Sequence, residues 1–187
     1  LIWGNTENGI LIDSGSADNI LYGNFIGTNS AGMDSLPNML DGVLIQNASN
    51  NSIIGCEVYN NPFVFYNVIS GNTGNGIQIQ NSHDCTIQGN FIGLNMNNQS
   101  VSPNMLDGLL VSGTSTNVVD GGIIPLGNGI SGNGQNGVHV IGTALNFLSF
   151  NTFAGLYAFG GAAPNGQNGI LIEGYAKKAT IRWVHYR

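Results

Sequence analysis

The sequence predicts an all-β fold, a right-handed parallel β-helix of about six turns, each of about 32 residues. Three observations predict it. A short phrase recurs six times at nearly constant spacing. Within each copy, apolar and variable residues alternate. No stretch carries the 3.6-residue period of an amphipathic helix.

The phrase is Asn8-Gly9-Ile10-Leu11-Ile12, then Asp41-Gly42-Val43-Leu44-Ile45 and Asn75-Gly76-Ile77-Gln78-Ile79. It returns as Asp107-Gly108-Leu109-Leu110-Val111, Asn136-Gly137-Val138-His139-Val140 and Asn168-Gly169-Ile170-Leu171-Ile172. Successive glycines are 33, 34, 32, 29 and 32 residues apart. Alternation with period two is the mark of a strand, and the preceding Asn-Gly or Asp-Gly supplies a tight turn. Such a pair can also close a hairpin, but here the similar strand comes a whole unit later and not across the turn. The first and third residues after each glycine are Ile, Val or Leu in every copy, which places a continuous aliphatic core inside the coil.

A second strand follows within each unit. Ile20–Gly27, Ile53–Val58 and Ile87–Gly93 carry it clearly, and Val118-Val119, Leu148–Phe153 and Ile181–Val184 more faintly. Units also alternate. Pro37-Asn38-Met39-Leu40-Asp41-Gly42 returns 66 residues later as Pro103-Asn104-Met105-Leu106-Asp107-Gly108, with a looser echo from Pro164 to Gly169. Between these stand Asn67–Asn72 and Asn128–Asn133, so odd and even units should differ mainly on their third side.

Counting from each glycine gives two expected side-chain ladders. One runs Asn19, Asn51, Cys85, Asn117, Asn146 and Lys178; the other runs Asn24, Cys56, Asn90, a break at Gly122, Asn151 and Trp183. Stacked Asn side chains hydrogen-bond to one another and to turn backbone. The two cysteines then stand in different ladders, which argues against a disulfide between them.

The phrases Asn-Val-Ile-Ser-Gly-Asn, Gly-Asn-Phe-Ile-Gly-Thr-Asn (residues 23–29) and Asp-Gly-Val-Leu-Ile resemble the parallel β-helix repeats of the pectate-lyase-like superfamily. They are most similar to its large, repetitive, secreted or cell-surface bacterial members, and the likeness covers residues 1 to about 176. It implies the fold. It leaves function open, because the superfamily includes lyases, hydrolases, epimerases, tailspikes and adhesins.

Composition narrows the function. Charged residues are 7% of the 187, against roughly a quarter in ordinary domains, while 42% are hydrophobic. All four basic residues, Lys177, Lys178, Arg182 and Arg187, lie in the last eleven positions. A body without Lys or Arg has no means of gripping a phosphate backbone or an anionic membrane surface. No apolar run is long enough to insert in a bilayer. The chain opens in mid-pattern at Leu1-Ile2-Trp3, so we read it as a single β-helix domain, residues 1–187, cut from a longer protein. Residues 174–187 keep strand spacing with charge and Trp in place of Asn, an irregular cap or simply the end of the piece.

Candidate chemistry is sparse. The Arg or Lys base that the superfamily's lyases use beside acidic calcium ligands has no candidate before Lys177. Asp41 and Asp107 share a register, but two turns apart, and occupy the turn position that Asn8, Asn75, Asn136 and Asn168 hold elsewhere. His83-Asp84-Cys85 reads as a turn with a ladder substitution, because a nucleophilic thiol wants a positive environment. His83, His139 and His185 are scattered. Asp13–Asp18 is a faint match to an oxygen-rich Ca²⁺ loop, so no cofactor is expected, with Ca²⁺ the one ion worth testing. No residue is assigned as catalytic.

One outward row stands out: Leu11, Leu44, Gln78, Leu110, His139 and Leu171, the second residue after each glycine. It would bind a glycan face, a neighbouring domain or another copy of the chain, unless loops 28–41 and 94–107 fold back over it. The expected function is a non-catalytic extracellular or cell-surface scaffold, structural or adhesive, with self-assembly through its open ends. The alternative is a carbohydrate-binding or polysaccharide-processing β-helix whose active turns lie outside this segment, supported by the aromatics Tyr22, Tyr59 and Tyr157.

Overall fold

The computed structural model describes residues 1–54, 66–122, 127–157 and 160–183. Each unit lays down one coil. Unit one contributes β1 (Ile10–Asp13), β2 (Ile20–Leu21) and β3 (Phe25–Ile26), and unit two β4 (Val43–Gln46), β5 (Ser52–Ile54) and β6 (Asn67–Ile69). Unit three gives β7 (Ile77–Gln80), β8 (Thr86–Gln88) and β9 (Asn90–Ile92), and unit four β10 (Leu109–Ser112), β11 (Val119–Gly121) and β12 (Gly129–Ile130). Unit five gives β13 (Val138–Val140), β14 (Leu148–Phe150) and β15 (Phe153–Ala154), and unit six β16 (Ile170–Ile172) and β17 (Thr180–Arg182).

The strands stack into three parallel sheets. The first is β1-β4-β7-β10-β13-β16, the second β2-β5-β8-β11-β14-β17 and the third β3-β6-β9-β12-β15. Every pairing joins a strand to its equivalent in the next unit, as the repeat requires: Ile10 pairs with Val43, Val43 with Ile77, Ile77 with Leu109, Leu109 with Val138 and Val138 with Ile170. The chain is a parallel β-solenoid.

The aliphatic core lies where the alternation puts it. Val43, Ile45, Ile77, Ile79 and Leu109 are completely buried. Ile53 and Ile87 from the second sheet and Ile26, Ile69, Ile92 and Ile130 from the third close around them. Only the terminal coils leave it open, so Ile172 is 38% exposed.

The corners are held by side-chain amides. Asn5, Asn38, Asn72, Asn104, Asn133 and Asn165 form one ladder, one residue per coil. Within it the Asn38 amide donates to Asn72 Oδ1 at 2.9 Å, that of Asn72 to Asn104 Oδ1 at 2.9 Å and that of Asn104 to Asn133 Oδ1 at 3.0 Å. A second runs through the turn before the first sheet. There the Asn75 amide donates to Asp41, Asn136 to Asp107 and Asn168 to Asn136. Asp41 and Asp107 are therefore turn residues whose carboxylates each accept a backbone N–H and a side-chain amide from the next coil.

Of the two expected Asn ladders, one exists in corrected register and the other divides into two rows. In the third-sheet ladder Asn24 bonds to Asn67, Asn67 to Asn90 and Asn90 to Asn128. The place expected for Cys56 is thus held by Asn67; Cys56, with Glu57 and Tyr59, lies outside the described residues. Asn151 and Trp183 fall outside this row, because Phe153 pairs with Gly129 and so sets Thr152, not Asn151, level with Asn128. The other expected ladder is two rows. Asn19, Asn51 and Cys85 point inward, and the inward places above them are Val118, Phe147 and Ala179. Asn117, Asn146 and Lys178 belong one residue earlier, with Asp18, Asn50 and Asp84, and all six take left-handed φ between 53° and 59°. The corner after the first-sheet strand is one residue shorter in units two and three, which shifts a count made from the glycine.

The odd units differ from the even ones by a hairpin on the third side. Thr28 bridges Ser35, Leu94 bridges Val101 and Leu156 bridges Ala162, each antiparallel. Gly27 and Gly93 open the first two at φ 82°, and a Cβ there would run into the backbone carbonyls of Ser70 and Ser131. The hairpins close on themselves and on one another, the Met96 N–H donating to Gly32 O at 2.9 Å.

Asn104 is completely buried and its side chain takes part in four hydrogen bonds, with the backbone and amide of Asn72, Asn133 Oδ1 and Ile69 O. Asn104→Leu leaves four buried polar groups without it and should cost about 3 kcal/mol or more, each orphaned group costing about 1–3 kcal/mol. Asn24→Ala, at the open end, should cost about 1 kcal/mol. Urea unfolding of the two variants measures the difference, and equal losses would refute the ladder's role.

Candidate functional site

Four places on this frame gather groups capable of binding or chemistry. The first is the outer face of the first sheet. Leu11, Leu44, Gln78, Leu110, His139 and Leu171 stand in one row, each paired with the next. Leu11 is half exposed and the others are partly exposed. The hairpins within loops 28–41 and 94–107 pack on the third side and on one another.

His139 links three coils within this row. Its Nδ1 lies 2.9 Å from Asp107 Oδ2 and its Nε2 3.2 Å from Glu173 Oε1. A neutral imidazole has one N–H and can donate to one of these carboxylates; the imidazolium donates to both. Asp107 is 3% exposed and commits its other oxygen to Asn136, so the array ties units four, five and six together. The sequence places Asp107 in a turn and His139 in the outward row without bringing them together.

The second place is the corner between the first and second sheets. Ser49 and His83 pair across units two and three. Ser49 Oγ lies 2.9 Å from His83 Nε2, and His83 Nδ1 lies 3.0 Å from Asp84 Oδ2. Asp84 Oδ1 accepts from the Asn117 amide at 2.8 Å. Hydrogen bonds from Asn117 and then from His83 hold the Asp84 carboxyl below its ordinary range. Cys85 turns the other way, into the core, where burial pushes its thiol up. The thiol is thus a filler of the inward row, as the sequence suggested, but Ser49 is a partner that the sequence reading missed.

The third place is a pocket of about 100 Å³ on the outer face of the third sheet, lined by Tyr66, Phe91, Asn98, Gly127, Gly129, Phe153 and Leu156. Phe91, Gly129 and Phe153 occupy one row on successive coils, so the missing side chain of Gly129 opens a gap between two phenyl rings. Tyr66 stacks on Phe91 with centroids 4.3 Å apart. Asn98 closes one wall; it is 4% exposed, and its Oδ1 is buried without a hydrogen-bond partner. No lining residue is charged. Of the aromatics singled out in the sequence, Tyr22 is 47% exposed and Tyr157 partly buried, and neither lines this pocket.

The fourth is Asp120, a wholly buried carboxylate inside the coil. It ends the third-sheet ladder: the Asn128 amide donates to one oxygen at 2.6 Å and the Ser149 hydroxyl to the other at 2.8 Å. A chain of amides that each donate to the next leaves a last donor, and a carboxylate, which only accepts, satisfies it. Burial pushes Asp120 up to about 6, with the Ser149 and Asn128 bonds opposing.

The loop Asp13–Asp18 is a tight corner, with Ser14, Gly15 and Asp18 at positive φ and the Ser16 hydroxyl donating to Asp13 O at 2.7 Å. Among the described residues no three His, Cys, Asp or Glu side chains gather closely enough to hold a metal ion.

The architecture defines the class: this is a β-solenoid protein built from one repeated coil. No match was found in comparisons with protein-family models, with curated proteins or with solved structures.

Asp120 gives stability a pH dependence. Its folded value lies above the unfolded one of about 3.8, so the folded state holds a proton that the unfolded state releases. The stabilisation is complete below pH 4 and is lost as pH rises through 6, a change of about 3 kcal/mol. Wild-type protein should therefore gain thermal stability between pH 7 and pH 5 relative to Asp120→Asn. Parallel curves for the two proteins would contradict this.

Proposed function

We propose that the chain forms an extracellular or cell-surface β-helix scaffold, structural or adhesive, that does not cleave glycosidic bonds. One observation carries this reading. The three carboxylates buried among the described residues are spent on the coil itself: Asp41 and Asp107 each accept two hydrogen bonds from the following coil, and Asp120 terminates a ladder. A carboxylate saturated by structural donors is a poor general acid or base. The sparsely charged, Asn- and Gly-rich sequence suits a scaffold, where a solenoid serves by its length and its repeated outer rows.

The pocket at Gly129 favours a second reading, glycan binding. Two phenyl rings flank the gap, and the Asn98 carboxamide supplies a neutral polar contact on its wall. Stacking on aromatic faces combined with an amide suits an uncharged sugar ring.

A glycan array and a reducing-end assay on the same glycans test both readings. The scaffold predicts no new reducing ends, and their release would overthrow it. Retention on the array that Gly129→Val abolishes, with thermal unfolding unchanged, selects the binding reading. Retention unaffected by that substitution excludes the pocket.

A further inference from the structure

We infer that Ser49, His83 and Asp84 form a nucleophilic serine site able to take the acyl group of a small ester. This adds ester chemistry to the scaffold proposed above, and the two stand or fall separately, because one concerns glycosidic bonds and the other an exposed hydroxyl.

The repeat itself builds the geometry. Ser49 and His83 hold the same position on adjacent coils, so their side chains leave the corner side by side, about 4.8 Å apart at the backbone. The row they belong to reads Ala17, Ser49, His83, Thr116, Leu145 and Lys177, so a hydroxyl meets an imidazole on its neighbour coils only around His83. Asp84 follows at φ 57°, a left-handed turn at which its Oδ2 meets Nδ1 of its own neighbour. Asn117, one coil on, pins the other oxygen. Three coils thus hold one relay.

The protons have a defined arrangement. A carboxylate only accepts, so Nδ1 of the neutral ring carries the hydrogen and donates to Asp84. Nε2 then presents its lone pair to the Ser49 hydroxyl at 2.9 Å, within the reach a general base needs. On attack, the Ser49 Oγ bonds to the acyl carbon and its proton passes to Nε2. Asp84 stabilises the imidazolium. The ester C–O bond breaks, and the leaving alcohol takes the proton from Nε2. Water, deprotonated by the same nitrogen, attacks the acyl-serine, and the acid is released with Ser49 restored. Ser49 and His83 are the reacting groups; Asp84 is a positioning residue that sets the tautomer.

The corner is open. Ser49 is partly exposed, and the side chains of His83 and Asp84 are 56% and 46% exposed. Such a site has no walls to select a large acyl chain, so the substrate class is a small acyl ester presented at a surface.

The test is covalent labelling of the intact protein with a fluorophosphonate, read by mass spectrometry, together with hydrolysis of p-nitrophenyl acetate. One adduct on Ser49 is expected, and none on Ser16, an exposed serine whose hydroxyl is tied to Asp13 O. Ser49→Ala should remove the adduct. His83→Ala should slow labelling at least tenfold, and added imidazole should restore it, which a merely structural role would not allow. Asp84→Asn should slow labelling and shift the ¹⁵N resonances of His83 away from the Nδ1-protonated tautomer. No adduct on Ser49, equal labelling of Ser16, or labelling indifferent to His83→Ala in protein with unchanged thermal unfolding would each overturn the proposal.

Discussion

The structure depends on the alignment of each coil with the next at its corners. Strands of two to four residues are too short to set register by hydrophobic pattern alone. A slip of two residues would leave an Ile over an Ile. The buried amides forbid it. Each Asn of the Asn38–Asn72–Asn104–Asn133 row bonds its neighbour at 2.9–3.0 Å, and a slip would strand every donor and acceptor inside the coil. The aliphatic core supplies the driving force, and the amides select one stacking from many.

The same constraint explains where the coil tolerates variation. Hairpins at 28–35, 94–101 and 156–162 leave just after a third-sheet strand and return before the next Asn corner, so no ladder is interrupted. Where unit five has no Asn level with Asn128, a carboxylate closes the ladder from the side; Asp120 accepts the last amide. That solution buries a charge-bearing group in the core, which the neighbouring Ser149 hydroxyl makes tolerable. The groups left for function are those that the ladders do not use: the outward first-sheet row, the Gly129 gap and the Ser49–His83 corner.

Much of the fold was legible in the sequence because one signal repeats. Six Gly-anchored phrases mark out the first sheet, and the alternation of units shows that the third side differs between odd and even units, though not that the difference is a hairpin. The ladders were legible in kind but not in register. A count from the glycine fails when a corner loses one residue, as before Asn50 and Asp84, and the stretch between Ile54 and Asn67 hid that Asn67, not Cys56, continues the row begun by Asn24. The candidate sites were less legible still. His83-Asp84 was visible as a pair, but Ser49 comes 34 residues earlier and faces it only because unit two has the same short corner as unit three. Gly129 looked like another repeat glycine. Its meaning appears only when it is set level with Phe91 and Phe153.

Cysteine cross-linking tests the central claim of coil-by-coil register most directly. Gln78 and Leu110 are Cα partners on adjacent coils and face outward together, whereas Leu109, one residue away, faces the core. In a background with Cys56 and Cys85 replaced by Ser, the pair Gln78→Cys with Leu110→Cys should form a disulfide on mild oxidation, at a Cα separation within the usual range of about 4.4–6.8 Å. The pair Gln78→Cys with Leu109→Cys should not. Cross-linking of the second pair, or of both equally, would contradict the stacking on which the account rests.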